Sequence, residues 1–344
     1  MNGKGICCSL SGVTLVPRYS GLNSRGECDP SSCGYTLPLV ASPMDTVYSD
    51  ALDRCLTSFG LPVVVHRYFP NAQEQLSAAA KPLRNRLRFF AVGKDREWIE
   101  HLWEKGVRRF CCDFAHGDSK PCVETVQHIK SLGRCIVMAG NVATKSGFIH
   151  LEDAGADMVR VGIGAGSACT TRANTGFGVP LVQSLVDAVS VRRKAVIIAD
   201  GGIWYPGDIA KCMAFGADLC MAGRMLAATS ESGATKYDDR MEITTDPTQM
   251  RYAEYRGMAS KEARGSVMKH ASVEGVSGLV PYLGETKTFL EDLRLNLQAS
   301  LSYAGVTNWG DFRRHVKKIE IDISAWYETI THTLSPGAIA GKAC

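Results

Sequence analysis

Met158-Val159-Arg160-Val161-Gly162 runs straight into Ile163-Gly164-Ala165-Gly166-Ser167-Ala168-Cys169-Thr170-Thr171-Arg172, so a strand-like segment opens into a glycine-rich loop carrying one cysteine. Gly162, Gly164 and Gly166 let the backbone take left-handed angles and approach a ligand closely. Ser167 and the loop amides can hydrogen-bond an anion such as phosphate. A thiol at the end of such a loop is placed to attack whatever the loop holds.

The same unit recurs on both sides of this stretch. Short apolar runs lie at Leu37–Ala41, Pro62–His66, Arg88–Val92, Arg109–Asp113, Cys135–Ala139, Met158–Gly162, Val196–Asp200 and Leu219–Ala222. Between them, segments such as Lys94–Lys105 and Pro206–Phe215 repeat apolar residues at i, i+3 and i+4 and read as helices. Eight short runs alternating with helices predict a parallel sheet closed as an α/β (β/α)8 TIM barrel rather than an open doubly wound sheet. The polar and glycine residues gather just after the strands, at Ser42-Pro43-Met44-Asp45, His66-Arg67-Tyr68, Asp113, Gly140-Asn141, the Cys169 loop, Asp200-Gly201-Gly202 and Gly223-Arg224. In a barrel these positions share one rim, where the active site belongs. Past the eighth strand the regularity fails. Ser230–Glu254 reads as a hairpin excursion over the rim, and Phe289–Tyr303 returns to helical spacing and is expected to close the barrel wall.

Composition narrows the function classes. With 344 residues, 45% hydrophobic and 22% charged, the chain falls in the ordinary globular range. The net charge of +4 comes from interspersed acidic and basic residues, which argues against a nucleic-acid partner. No run is long and apolar enough for a membrane span or a signal peptide, so a soluble, cytoplasmic protein is expected. The 13 cysteines are scattered rather than set at zinc-ligand or disulfide spacings, which fits reduced thiols and no structural metal. No GxGxxG follows a first strand, so a dinucleotide is not held on a Rossmann fold.

Taken together, Gly166-Ser167-Ala168-Cys169-Thr170-Thr171-Arg172, Ser42-Pro43-Met44-Asp45-Thr46-Val47, Met138-Ala139-Gly140-Asn141-Val142-Ala143-Thr144, Asp200-Gly201-Gly202, Tyr255-Arg256-Gly257-Met258 and Val273-Glu274-Gly275-Val276 resemble the IMP dehydrogenase and GMP reductase superfamily, in the same order from Thr14 to Gly305. The resemblance implies one barrel over residues 1–344, a catalytic loop at 162–178 and a flap at about 255–284. The regulatory insert usual in dehydrogenases is missing, since Val65–Ala91 runs straight through.

The direction of chemistry is the harder question. Leu22-Asn23-Ser24-Arg25-Gly26-Glu27, the Cys169–Gly176 stretch and Ser230-Glu231-Ser232-Gly233 are similar to the reductase branch. Lys261–Ser272 contains Arg264 but lacks the Arg-Tyr pair with which dehydrogenases activate water. Pro43 and Glu274-Gly275-Val276-Ser277-Gly278 resemble the dehydrogenase instead, while Arg67 and Arg224 depart from the reductase pattern. The reading favours NADPH-dependent deamination of GMP to IMP and ammonia; the alternative is oxidation of IMP to XMP with NAD. A nucleotide-binding barrel without catalysis and a flavin-dependent barrel are further rivals from other classes.

The resemblance assigns roles residue by residue. Cys169 is the nucleophile that forms a covalent thioimidate, with Thr171 and Glu274 as the proton-handling pair. Ser167, Asp200, Gly201, Gly202, Gly223, Arg224, Tyr255, Gly257, Met258 and Ala259 are the expected nucleotide contacts, Asp200 taking the ribose hydroxyls. Ser24, Arg25, Arg67, Asp113 and Asn141 are the expected contacts to NADPH. Backbone carbonyls of Gly164, Gly166 and Cys169 are candidate ligands of a monovalent cation such as K+. The resemblance also implies a homotetramer in which a neighbouring subunit completes the cofactor site.

Overall fold

A computed structural model describes residues 8–81, 85–258, 260 and 275–329. Strand β1 (Val13–Val16) pairs antiparallel with β13 (Lys317–Glu320). Eight strands then make one parallel sheet: β2 (Leu39–Ala41), β3 (Val63–Val65), β4 (Arg88–Val92), β5 (Arg109–Asp113), β6 (Ile136–Val142), β7 (Met158–Val161), β8 (Val196–Asp200) and β9 (Leu219–Ala222). Their order is β2-β9-β8-β7-β6-β5-β4-β3. The two ends meet where the Ala41 amide donates to the Pro62 carbonyl at 3.1 Å, which closes the expected (β/α)8 barrel.

The strands read as continuous apolar runs because both faces are covered. Val63, Val64 and Val65 are fully buried, as are Phe89, Phe90 and Phe110 in the neighbouring strands. Helices start where short polar side chains accept backbone amides: Ser49 from Leu52, Asn71 from Glu74, Asp95 from Trp98 and Thr144 from Gly147. Each such cap contributes about 1 kcal/mol and fixes where the chain turns back after a strand. The helix Thr286–Tyr303 packs against both Pro206–Ala214 and Asp50–Ser58, filling the wall between the last and first units.

Two features differ from the linear reading. Strand β6 continues through Gly140 and Asn141 instead of ending at Ala139, with Asp113 opposite Gly140, Val142 opposite Val161 and a register irregularity between. The cause is close approach. A Cβ on Gly140 would lie 2.6 Å from the Arg160 Cβ, so only glycine lets β6 and β7 stay together here. The Cys169 loop also contains a short helix, Thr171–Thr175, ended by Gly176 in the left-handed conformation (φ 76°). The excursion after β9 is the expected hairpin, β10 (Lys236–Tyr237) against β11 (Tyr252–Arg256), extended by β12 (Ser277–Pro281) into a three-stranded antiparallel sheet.

Candidate active site

The strand ends enclose a cavity of about 280 Å³ bordered by Met44, Arg67, Asp113, Asn141, Gly162–Gly164, Gly166–Cys169, Asp200–Ile203, Gly223, Arg224, Tyr255 and Met258. Two glycines let its loops interlock. Gly162 (φ 143°) passes so close to β8 that a Cβ would sit 2.0 Å from the Asp200 carbonyl oxygen. Gly201 (φ 105°) is also crowded, its Cβ falling 2.9 Å from the Gly166 amide nitrogen. Any side chain at either position would push the Cys169 loop away from Asp200.

Cys169 is half-buried, and its thiol donates to Thr171 Oγ1 at 3.1 Å. The backbone beside it is pinned to the flap. Cys169 forms a bridge with Gly275, the Val276 amide donates to the Ala168 carbonyl at 3.0 Å, and the Gly257 amide donates to the Val276 carbonyl at 3.0 Å. Gly257 packs so tightly that a Cβ would lie 2.8 Å from the Ala168 oxygen. Glu274 and Ala259 lie outside the described residues, although Glu274 directly precedes Gly275 in the chain.

A charged network floors the cavity, and its centre is a residue that sequence reasoning missed. Arg160 on β7 is buried and donates to Asp113 Oδ1 at 2.8 Å and to Asp200 Oδ2 at 3.0 and 3.1 Å. Asn141 donates to the same Asp200 oxygen at 2.8 Å and to the Gly162 carbonyl at 2.8 Å. Among the described residues Asp200 Oδ1 takes no hydrogen bond, so one carboxylate oxygen stays open to a ligand. Arg67 Nε reaches Asp113 Oδ2 at 3.3 Å. Burial works against ionisation of Asp113, but Arg160 and Arg67 outweigh it and hold the carboxyl below its ordinary range. His66, nearby, is pushed down to about 4, chiefly by burial. Its Nδ1 accepts the Tyr68 amide at 3.2 Å and its ring stacks on Phe69, so it is a neutral packing group at pH 7. The signal for Arg160 was a lone charge inside an otherwise apolar strand, which is stable only if buried with partners.

Ser167, Gly202, Gly223, Arg224 and Tyr255 also border the cavity, with Ser167, Gly223 and Arg224 around Tyr255. The Tyr255 hydroxyl is pushed up to about 12, mainly by burial, with the neighbouring Ser167 partly offsetting it. A Cβ on Gly223 would stand 2.8 Å from that hydroxyl oxygen. The flap is held down by Arg256, which forks onto Asp45 (3.0 and 3.2 Å from Nε) and reaches Glu254 at 3.1 Å. Met258 Sδ accepts the Asp45 amide at 3.4 Å.

The expected cofactor contacts divide. Arg67, Asp113 and Asn141 border the cavity, whereas Ser24 and Arg25 do not. Ser24 accepts the Gly26 amide at 3.1 Å, and the Arg25 guanidinium lies over the Tyr303 ring at 5.7 Å. Of the candidate cation ligands, the Gly166 carbonyl accepts the Cys169 amide at 3.0 Å and keeps one lone pair for another partner. Among the described residues no three His, Cys, Asp or Glu side chains cluster as metal ligands, and no helix is long and apolar enough to cross a membrane.

Comparison with known proteins decides the family, since residues 11–332 match the IMP dehydrogenase / GMP reductase domain. The chain belongs to this family. It is 35% identical over 309 residues to a GMP reductase of Oenococcus oeni, covering 86% of this chain and 91% of the relative. A GMP reductase of Lactobacillus delbrueckii subsp. bulgaricus is 36% identical over 309 residues, covering 85% and 88%. One from Streptococcus agalactiae is 34% identical over 329 residues, covering 91% and 95%. Membership makes the chain an oxidoreductase of the TIM-barrel type, and it places the Cys169 loop and the Asp200 turn within the matched domain.

Proposed function

We propose that the chain converts GMP, NADPH and two protons into IMP, ammonium and NADP, acting in purine nucleotide metabolism. The observation that carries this reading is the Cys169 thiol 3.1 Å from Thr171, on a backbone bridged to Gly275. That bridge brings the chain neighbour of Glu274 to the nucleophile, and the relatives named above are GMP reductases. Replacing an exocyclic amine on an aromatic purine is hard to do in one step, so a covalent intermediate divides the barrier. Cys169 adds as thiolate to C2 of GMP, and Thr171 with Glu274 delivers the proton with which ammonia leaves, giving a thioimidate. The nicotinamide, when bound, would supply a hydride to C2, and Cys169 would then leave as thiolate as IMP forms.

Asp200, with one oxygen fixed by Arg160 and Asn141, offers the other to the ribose. Ser167, Gly201, Gly202, Gly223, Arg224 and Tyr255 hold the 5'-phosphate and its surroundings, while Gly257, Met258 and Ala259 border the base. Asp113 and Asn141 hold the nicotinamide end of NADPH, and Arg67 its distal portion. Ser24 and Arg25, outside the cavity of their own subunit, serve a neighbouring one in a cytoplasmic homotetramer. Carbonyls of Gly164, Gly166 and Cys169 accept a monovalent cation such as K+. Neither nucleic acid nor a membrane enters the reading.

The test incubates the protein separately with GMP plus NADPH and with IMP plus NAD while following the reduced-nicotinamide absorbance. Loss of absorbance in the first mixture, with ammonia release, is the expected result. Pro43 and the Glu274-Gly275-Val276-Ser277-Gly278 stretch favour the second reading, IMP dehydrogenase, and a gain of absorbance with XMP formation in the second mixture would establish it.

A further inference from the structure

Among the described residues three arginines border the cavity: Arg67, Arg160 and Arg224. Two of them are neutralised. Arg67 pairs with Asp113, and Arg160 with both Asp113 and Asp200. Arg224 has no carboxylate or carbonyl partner among the described residues. Its guanidinium instead lies over the indole of Trp204, 5.0 Å from the ring centroid. Trp204 is 42% exposed, and its amide is fixed by Asp208 Oδ2 at 2.9 Å. The Arg224 charge reaches the cavity, since it acts on the Tyr255 hydroxyl and favours that group's ionisation, against burial, which dominates.

An aromatic face and a carboxylate orient a guanidinium in different ways. A carboxylate would occupy its donor edge and cancel its charge, whereas an indole face holds the planar cation and leaves its five N–H donors free. The cavity therefore has arginine charge that is balanced at Arg67 and Arg160 and unbalanced at Arg224. A ligand carrying its negative charge at one end is oriented by this difference alone.

We propose that Trp204 is a positioning residue that holds the Arg224 guanidinium with its donors free to meet the 5'-phosphate of the nucleotide. The inference rests on the nucleotide reading above and adds to it the indole that positions the phosphate-binding guanidinium. The Arg224 fork matches two phosphate oxygens, and Trp204 sets the angle from which it approaches.

The experiment compares wild type with Trp204→Leu, Trp204→Phe and Arg224→Ser. Calorimetry gives the affinity for GMP and for guanosine at several ionic strengths, and steady-state rates with NADPH give KM and kcat. Trp204→Leu should weaken GMP binding about tenfold and leave guanosine binding unchanged. Trp204→Phe should recover most of the loss. Arg224→Ser should weaken GMP binding further and flatten its salt dependence. KM should follow the binding loss while kcat falls less than about threefold, because the phosphate lies away from the reacting carbon. Wild-type affinity for GMP in the Leu and Ser variants overturns the inference alone, as does an equal loss for guanosine. A wild-type protein that binds neither GMP nor IMP overturns the nucleotide reading and the inference with it.

Discussion

The guanidinium of Arg160 lies 3.0 Å from the carboxylate of Asp200, and burial of that contact fixes one oxygen of the ribose-binding candidate before any ligand arrives. Arg160 spans from β7 to the ends of β5 and β8, so three strand ends are set relative to one another by one side chain. Replacing Arg160 with Leu leaves Asp113 and Asp200 facing each other without their shared cation. Such a break of a buried pair costs about 3–5 kcal/mol. Urea unfolding of Arg160→Leu should show a loss of that order, and Arg160→Lys, which keeps the charge but not the fork, should lose less stability while still raising KM for the nucleotide. Unfolding midpoints equal to wild type would show that the network is not tied to the barrel's stability.

The proposed phosphate and ribose contacts lie on residues other than Cys169, namely Ser167, Gly202, Gly223 and Asp200. Cys169→Ala should therefore abolish turnover, a loss of at least about a thousandfold, while GMP binding by calorimetry stays within about threefold of wild type. Intact-protein mass spectrometry of wild type quenched during turnover should show a covalent nucleotide adduct that is missing from the variant. Residual activity within tenfold of wild type would remove Cys169 from the covalent role.

The barrel was legible because each strand is a short apolar run bounded by polar rim residues, and the eight runs predicted from periodicity coincide with β2–β9 to within a few residues. The rim residues were legible for the same reason, since a strand's C-terminal end locates them without any contact being known. Arg160 was not. Its carboxylate partners, Asp113 before it and Asp200 after it, are brought together only by strand register, which a linear pattern does not contain. Gly140 and Asn141 follow the apolar run Cys135–Ala139 and so read as rim residues, whereas in the fold the glycine serves the close passage of Arg160. Trp204 gave no periodic signal at all, and its relation to Arg224 exists only in three dimensions.

Acid sensitivity should trace to Glu152. This buried carboxylate accepts the amides of Lys194 and Ala195 at 2.7 Å and the Arg193 amide at 3.2 Å, holding the turn that leads into β8. Burial alone would raise its pKa, but these bonds hold it at about 2, against an ordinary value of 4.5. A folded pKa below the unfolded one gives stability that is present above about pH 4.5 and is lost as the pH falls toward 2. The shift corresponds to about 3 kcal/mol. Unfolding free energy measured from pH 6 to pH 2 should fall steeply for wild type and less steeply for Glu152→Gln, which starts less stable. Parallel curves for the two proteins would assign the acid sensitivity elsewhere.

In the proposed mechanism the fate of the thioimidate decides the direction of the reaction. A thioimidate on Cys169 can be resolved by hydride or by water, and water needs a base. The segment Lys261–Ser272 lacks the Arg-Tyr pair that the dehydrogenase branch uses for that purpose. Hydride should therefore win, so that GMP with NADPH yields IMP and ammonium, while IMP with NAD yields little XMP. In the proposed mechanism Glu274 serves to deliver a proton, not to add affinity. Glu274→Gln should lower kcat for ammonia release by about a hundredfold or more while changing GMP affinity less than about threefold, because an amide cannot pass the proton on. Parallel assays of ammonia, NADPH consumption and XMP separate the outcomes. Efficient XMP formation by wild type would show that another group activates water, and the dehydrogenase reading would replace the reductase one.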